Sequence, residues 1–262
     1  MSYAYGKTLV VGATSGIGWA LAEKIVQDGK QVVIVGRRKE RLDEFQQKHG
    51  SDKVHTIVFD ISNLDEITRF AQTVTNDHPD LDSVFLNAGM QRGFDFSKPE
   101  TVEMRVLELE FRTNYLSYMY LTTAFTPFLQ KQEKATSFIY TTSGLALLPL
   151  PRCANYSASK AALHHMILVL REQLRAGPGD IRVIEIFPPA VQTELHDEKH
   201  QPDIKDGGSL GMPLDEFTEA AWAGLTKGKG EEQIPVGFVG KAFEAFEKKR
   251  QELFHGVMMK MA

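Results

Sequence analysis

Short apolar runs alternate along this chain with longer stretches whose apolar residues recur every three or four positions. The runs cover residues 8–11, 31–35, 54–59, 83–86, 137–142 and 181–187, with a seventh around 233–236. They are rich in Val, Ile and Phe and mostly lack strict alternation, the pattern of strands buried on both faces. The stretches between them read as helices; the one over 18–28, for example, is stopped by Gly29. Repeated strand–helix units predict an α/β fold. It is a Rossmann-like, doubly wound parallel sheet of about seven strands with helices on both faces. No internal repeat, low-complexity tract or linker interrupts residues 1–262, so a single domain is expected.

Two helical stretches are unusually apolar. Residues 161–170 offer almost no solvent face, and residues 107–129 carry Phe111, Tyr115, Tyr118, Tyr120, Phe125 and Phe128 on several sides. A helix that is apolar all round must be covered all round. Self-association, as a homodimer or homotetramer, is the simplest cover. Near the end, over about 238–260, Phe243, Phe246, Leu253, Phe254, Val257 and Met258 recur at helical spacing among Lys and Glu. That predicts an amphipathic helix. Its polar face mixes both charges, so it is expected to pack on protein rather than on a membrane.

Composition narrows the classes of function. The hydrophobic fraction is 42% and the charged fraction 24%, ordinary for a soluble globular protein. A net charge of −4, a pI near 6.1 and the lack of any basic run argue against nucleic-acid binding. No apolar stretch approaches the roughly 20 residues that span a bilayer, and the first residues form no basic leader. A cytoplasmic location without membrane attachment is therefore expected. Cys153 is the only cysteine, which excludes an internal disulfide and a thiolate metal site and leaves a packing role.

Candidate chemistry begins at Tyr156 and Lys160. Four residues apart on a helix, a phenol and an ammonium share one face. Tyrosine titrates near pH 10, so acid–base work at neutrality asks for a shift of roughly 3 units, or about 4 kcal/mol. One unit charge at about 4 Å, in an effective dielectric of about 20, supplies that amount. Such pairs are common on exposed helices, so this one draws its weight from its company. Gly12-Ala13-Thr14-Ser15-Gly16-Ile17-Gly18 follows the first strand and opens the first helix. A turn of this kind brings backbone N–H groups at a helix N-terminus to face a pyrophosphate.

Gly12-x-x-x-Gly16-Ile17-Gly18, Asn87-Ala88-Gly89, Asn114, Ser143, Tyr156 and Lys160 stand in a telling order and spacing. From about residue 7 to residue 193 the chain resembles the classical short-chain dehydrogenase/reductase family. The resemblance implies a nicotinamide dinucleotide. After the second strand comes Gly36-Arg37-Arg38, where an acidic residue would favour the ribose hydroxyls of NAD. Guanidinium–phosphate contacts predict NADP(H) over NAD(H), with Arg37 the first candidate and Arg38 the second. By resemblance, Asp60 and Ile61 hold the adenine, and Asn87, Ala88 and Gly89 let the backbone approach the adenosine ribose. Pro188, Val191 and Thr193 lie beside the nicotinamide, with Pro189 in place of the family's usual glycine. Leu86 replaces a second asparagine that the family often carries, a change that affects sheet packing.

The resemblance also implies the roles at the reaction centre. Ser143, just past the fifth strand, orients a substrate carbonyl. Tyr156 exchanges its proton with the substrate oxygen while hydride passes to or from the nicotinamide, and no metal is required. Lys160 lowers the phenol pKa and holds the nicotinamide ribose. Asn114 completes a proton relay through a water. His164 and His165 are expected in the core or an interface. The substrate pocket is expected from residues 144–155 and 90–96 and from a mobile lid over about 190–215. Leu145, Leu147, Leu148 and Leu150 there suggest an apolar carbonyl or alcohol substrate, and residues 196–200 read as a solvated outer face. Three alternatives compete. A sensor or scaffold that binds cofactor without turnover is weighed down by the retained Ser143, Tyr156 and Lys160. An enoyl reductase has its lysine seven residues after the tyrosine, where this chain has Leu163, and a nucleotide-sugar epimerase needs a larger carboxyl-terminal part.

Overall fold

The computed structural model describes residues 2–227 and 230–261. Its strands are β1 (Lys7–Val11), β2 (Gln31–Gly36), β3 (Val54–Val58), β4 (Ser83–Leu86), β5 (Thr136–Thr141), β6 (Ile181–Phe187) and β7 (Gln233–Pro235). They form one parallel sheet in the order β3-β2-β1-β4-β5-β6-β7. The doubly wound architecture expected from the apolar runs is present, and strand limits agree to within one residue. The helices are α1 (Gly16–Gln27), α2 (Lys39–His49), α3 (Ile67–Asp77), α4 (Met104–Phe111), α5 (Ser117–Leu129), α6 (Ala154–Ala176), α7 (Leu214–Thr226), α8 (Val239–Ala242) and α9 (Lys248–Met261). The first starts two residues before its expected position.

Burial on both faces explains the unbroken apolar strands. Leu9, Val11, Val33, Val35, Phe138 and Tyr140 point to one side and pack on α3, α5 and α6. Val10, Val32, Ile34, Ile139 and Ile184 point to the other and pack on α1, α2 and α7. Successive strand residues thus enter opposite cores. The strand order reverses between β1 and β4, and such a reversal opens a crevice at the carboxyl ends of the strands.

The two apolar helices divide between core and surface. Tyr118, Leu121 and Phe125 of α5 and Leu163 and Ile167 of α6 are buried by the chain itself. Leu109, Leu116, Tyr120 and Val169 stay exposed, so the expectation of helices without a wet face holds only in part. A π turn over Arg112–Leu116 joins α4 to α5 and rotates the side chains that follow it. No helix among the described residues is long and apolar enough to cross a membrane.

A second π turn, Phe243–Glu247, joins α8 to α9 and delivers a buried acid to the core. Glu247 Oε1 lies 3.0 Å from His164 Nε2, while His164 Nδ1 lies 2.9 Å from Glu185 Oε1 on β6. Arg250 donates to Glu247 beside His164, Gln251 donates to Glu247, and Phe187 packs edge-on against the imidazole. The tail is therefore fastened by polar contacts, while Phe246, Leu253, Val257 and Met258 on its other side are exposed. Burial opposes a charge on His164, but Glu185 and Glu247 outweigh it and push the imidazole up to about 9. Burial likewise opposes a charge on Glu247, yet hydrogen bonds from His164, Arg250 and Gln251 hold it down to about 2.

A group raised above its unfolded value stabilises the fold fully below the unfolded pKa, near 6.5, and loses that effect as pH rises through the folded one. The stability gap between wild type and His164→Gln should therefore shrink by roughly 3 kcal/mol from pH 6 to pH 9.5. Urea unfolding at the two pH values measures it, and a constant gap would exclude a charged His164.

Candidate active site

The carboxyl ends of the central strands open onto one cavity of about 1060 Å³. Its floor is the turn between β1 and α1. Gly12 has φ +88°, and a Cβ there would stand 2.5 Å from the Ala88 backbone. A Cβ on Gly18 would collide with the Gly12 carbonyl. Asn87 fastens the turn from the neighbouring strand end. Its Nδ2 donates to the Gly12 carbonyl at 3.0 Å and its Oδ1 accepts from Thr141 Oγ1 at 3.0 Å. β1, β4 and β5 are thereby locked together where the backbone is barest.

Ser143, Tyr156 and Lys160 are buried and line the same cavity. The Ser143 hydroxyl hydrogen-bonds the Tyr156 phenol and accepts from the Leu145 N–H at 3.0 Å. The Lys160 ammonium donates to the Thr141 carbonyl at 2.8 Å and lies 5.8 Å from the centre of the Tyr156 ring. The electrostatics differ from the sequence expectation. Burial holds the phenol well above its ordinary value, and the bond from Ser143 offsets this only in part. Burial pushes Lys160 down to about 7 against the opposing fields of Glu185 and Glu110. An ammonium that is itself poorly solvated, and turned toward a carbonyl, cannot acidify its neighbour as a freely charged one would.

Asn114 sits on the π turn, fully buried. Its Oδ1 accepts the Met90 N–H at 2.9 Å, and its Nδ2 donates to the Met90 carbonyl at 2.8 Å and to Ser159 Oγ at 3.2 Å. It stands behind the cavity wall, as does Gly18; every other catalytic or cofactor-binding residue singled out from the sequence lines the cavity. Arg38 donates to Thr14 Oγ1 at 3.0 Å, to Ser15 Oγ at 2.7 Å and to Glu194 Oε2 at 2.6 Å. Arg37 is 75% exposed, with Asp60 3.7 Å away. Asp60 caps its own turn by accepting from Ser62.

Three features escaped the sequence reading. Glu110 is fully buried and accepts from the Arg92 N–H and from Asn155 Nδ2, both at 2.6 Å. Burial drives its carboxyl up to about 7 despite these bonds. Its only sequence signal is its place one helical turn before Asn114. His196 is buried and lines the cavity, so residues 196–200 are not wholly a solvated face. A 3-10 turn over Glu194–His196 directs the imidazole inward, where Gln201 meets it. The outer pocket is also less apolar than expected. Leu145 and Leu150 line it, Leu147 and Leu148 do not, and Arg92 and Arg152 join the wall. Arg152 binds Asp203 at 2.5 Å and Gln201 at 2.5 Å, closing the β6–α7 loop over Cys153, a buried thiol pushed up by burial.

A sequence profile of the short chain dehydrogenase family matches residues 7–203, and the chain belongs to this family of oxidoreductases. It is 35% identical over 224 residues to the "uncharacterized oxidoreductase DltE" of Bacillus subtilis (strain 168), covering 85% of each chain. Among solved structures, a short chain dehydrogenase from Burkholderia cenocepacia J2315 in complex with NADP superposes with a TM-score of 0.77. It is 25% identical, with 97% of each chain covered. A short chain dehydrogenase/reductase from Burkholderia phymatum in complex with NAD shares the fold at a TM-score of 0.80 and 18% identity, over 96% of each chain.

The Gly12 contact yields a stability prediction. Gly12→Ala combines a left-handed backbone with a backbone clash and should lose about 3 kcal/mol of stability. Urea denaturation measures this, and a loss under about 1 kcal/mol would mean that the turn relaxes freely.

Proposed function

We propose that this oxidoreductase is an NADP(H)-dependent carbonyl reductase, or in reverse an alcohol dehydrogenase, with Tyr156 as the general acid–base. The observation that carries the reading is the joint burial of Ser143, Tyr156 and Lys160 at the carboxyl edge of β5, on the wall of a cavity floored by close-packed glycines. The residues present fit a dinucleotide. The backbone of Gly12, Thr14, Ser15, Gly16 and Ile17, with Gly18 packed behind it, would hold the pyrophosphate, and Asp60, Ile61, Asn87, Ala88 and Gly89 the adenosine. Pro188, Val191 and Thr193 would flank the nicotinamide, and Lys160 its ribose. When bound, the nicotinamide supplies or accepts hydride.

The chain's own groups handle the proton. A phenol held protonated by burial suits donation to a carbonyl oxygen, which Ser143 orients. Lys160, poised near neutrality, can return a proton to the phenolate that remains. Both N–H groups of the Asn114 side chain are engaged and its Oδ1 accepts the Met90 N–H, so its part in a relay to solvent would be through the second lone pair of Oδ1 or its main-chain carbonyl. Arg37, open to solvent and only loosely paired, supports NADP(H) over NAD(H), with Arg38 second. The substrate would be a small carbonyl compound, apolar beside Leu145 and Leu150 and able to tolerate the cations farther out. The β6–α7 loop would act as its lid, and exposed Leu116, Tyr120 and Val169 would seat a second copy of the chain.

Two measurements test this. Tyr156→Phe should lower kcat at least about 100-fold with NADPH and a panel of ketones while leaving dinucleotide affinity within a few-fold. Unchanged turnover would sink the assignment, and a wild type inert toward every carbonyl would favour the sensor reading. Arg37→Ala should raise KM for NADPH about tenfold and leave that for NADH unchanged. A wild-type KM lower for NADH than for NADPH would overturn the cofactor preference.

A further inference from the structure

The strongest unexplained contact crosses the cavity. Glu194, from the loop between β6 and α7, receives Arg38 Nη1 at 2.6 Å and a hydrogen bond from Ser15, and stands 3.9 Å from Arg41 Nη2. Arg38 in turn binds Thr14 Oγ1 and Ser15 Oγ. All of these except Arg41 line the cavity. Two hydroxyls and a guanidinium converging beside the glycine turn, with a second guanidinium nearby, form a cradle for an anion. Here the anion is a side chain of the protein, brought from 156 residues away.

We propose that Glu194 is an intramolecular stand-in for the 2′-phosphate of NADP(H), and that this phosphate must displace it. The inference rests on the NADP(H) reading above and adds a specificity-determining residue to it. A carboxylate and a phosphate cannot share the cradle, because two like charges would compete for the same donors. NAD(H), without that phosphate, leaves Arg38 and Glu194 joined. Displacement frees the 3-10 turn over Glu194–His196, and with it the start of the loop that covers the pocket. The coenzyme's phosphate therefore both overcomes an internal competitor and unfastens one end of the loop, whereas the Arg152–Asp203 pair holds its middle. Because the pair is about one-third exposed on each side, solvent screens it, and the competition is modest in size.

Titration calorimetry with adenosine 2′,5′-bisphosphate and 5′-AMP tests the idea without turnover. Wild type should bind the bisphosphate at least about tenfold more tightly than 5′-AMP. Glu194→Gln and Glu194→Ala should each tighten the bisphosphate about fivefold further and leave 5′-AMP unchanged. In hydrogen exchange, the bisphosphate should speed opening of residues 195–210 in wild type, and 5′-AMP should not. A wild type that binds both probes equally overturns the cofactor reading and this proposal together. A wild type that discriminates, with Glu194 variants no tighter for the bisphosphate, overturns this proposal alone. So does weaker 5′-AMP binding in those variants, which would make Glu194 a ligand of the ribose instead.

Discussion

The site depends on one steric constraint: the backbone of β4 passes the turn after β1 with no room for a side chain. Gly12 and Ala88 meet there at a separation that a Cβ would violate, and Asn87 ties the contact to β5 through Thr141. Thr141 is also the residue whose carbonyl anchors Lys160. The bare backbone on which a pyrophosphate could lie and the buried amine beside the phenol are therefore parts of one frame. Movement of one strand end would disturb both.

Within that frame, burial outranks pairing in setting charge. Tyr156, Lys160 and Glu110 are each driven toward their neutral forms, and neighbouring charges reverse none of the three. Farther down α6 the balance tips the other way. His164, flanked by two carboxylates, keeps its proton against burial. Opposite outcomes one turn apart on one helix reflect geometry. The imidazole is hydrogen-bonded to its carboxylates, whereas Lys160 meets a neutral carbonyl and feels Glu185 only at a distance.

The sequence was most legible where a rule is local. Strands buried on both faces leave unbroken runs of Val, Ile and Phe, so β1 to β7 could be placed almost to the residue. The glycine turn and Tyr156, Lys160 and Ser143 were legible as motifs, and the cavity gathers them. What stayed hidden depends on contacts distant in sequence. Nothing near Glu194 announces Arg38, and Glu110 looks like any acid on an amphipathic helix until Asn155 arrives from α6. His196 looked solvent-facing because its neighbours are charged, yet a single 3-10 turn reverses it. The phenol was expected to be acidified because spacing alone counts the lysine's charge and not the desolvation of both groups.

Glu185 serves two masters, and this links the far end of the chain to the chemistry. It accepts from His164, which Glu247 of the tail helps to keep cationic, and its field supports a proton on Lys160. Were the last fifteen or so residues trimmed, the imidazole would lose one of its two carboxylate partners and hold its proton less firmly beside the strand carboxylate. The amine beside Tyr156 would then register an alteration made at the opposite terminus, so changes to the tail cannot be regarded as silent for the reaction centre.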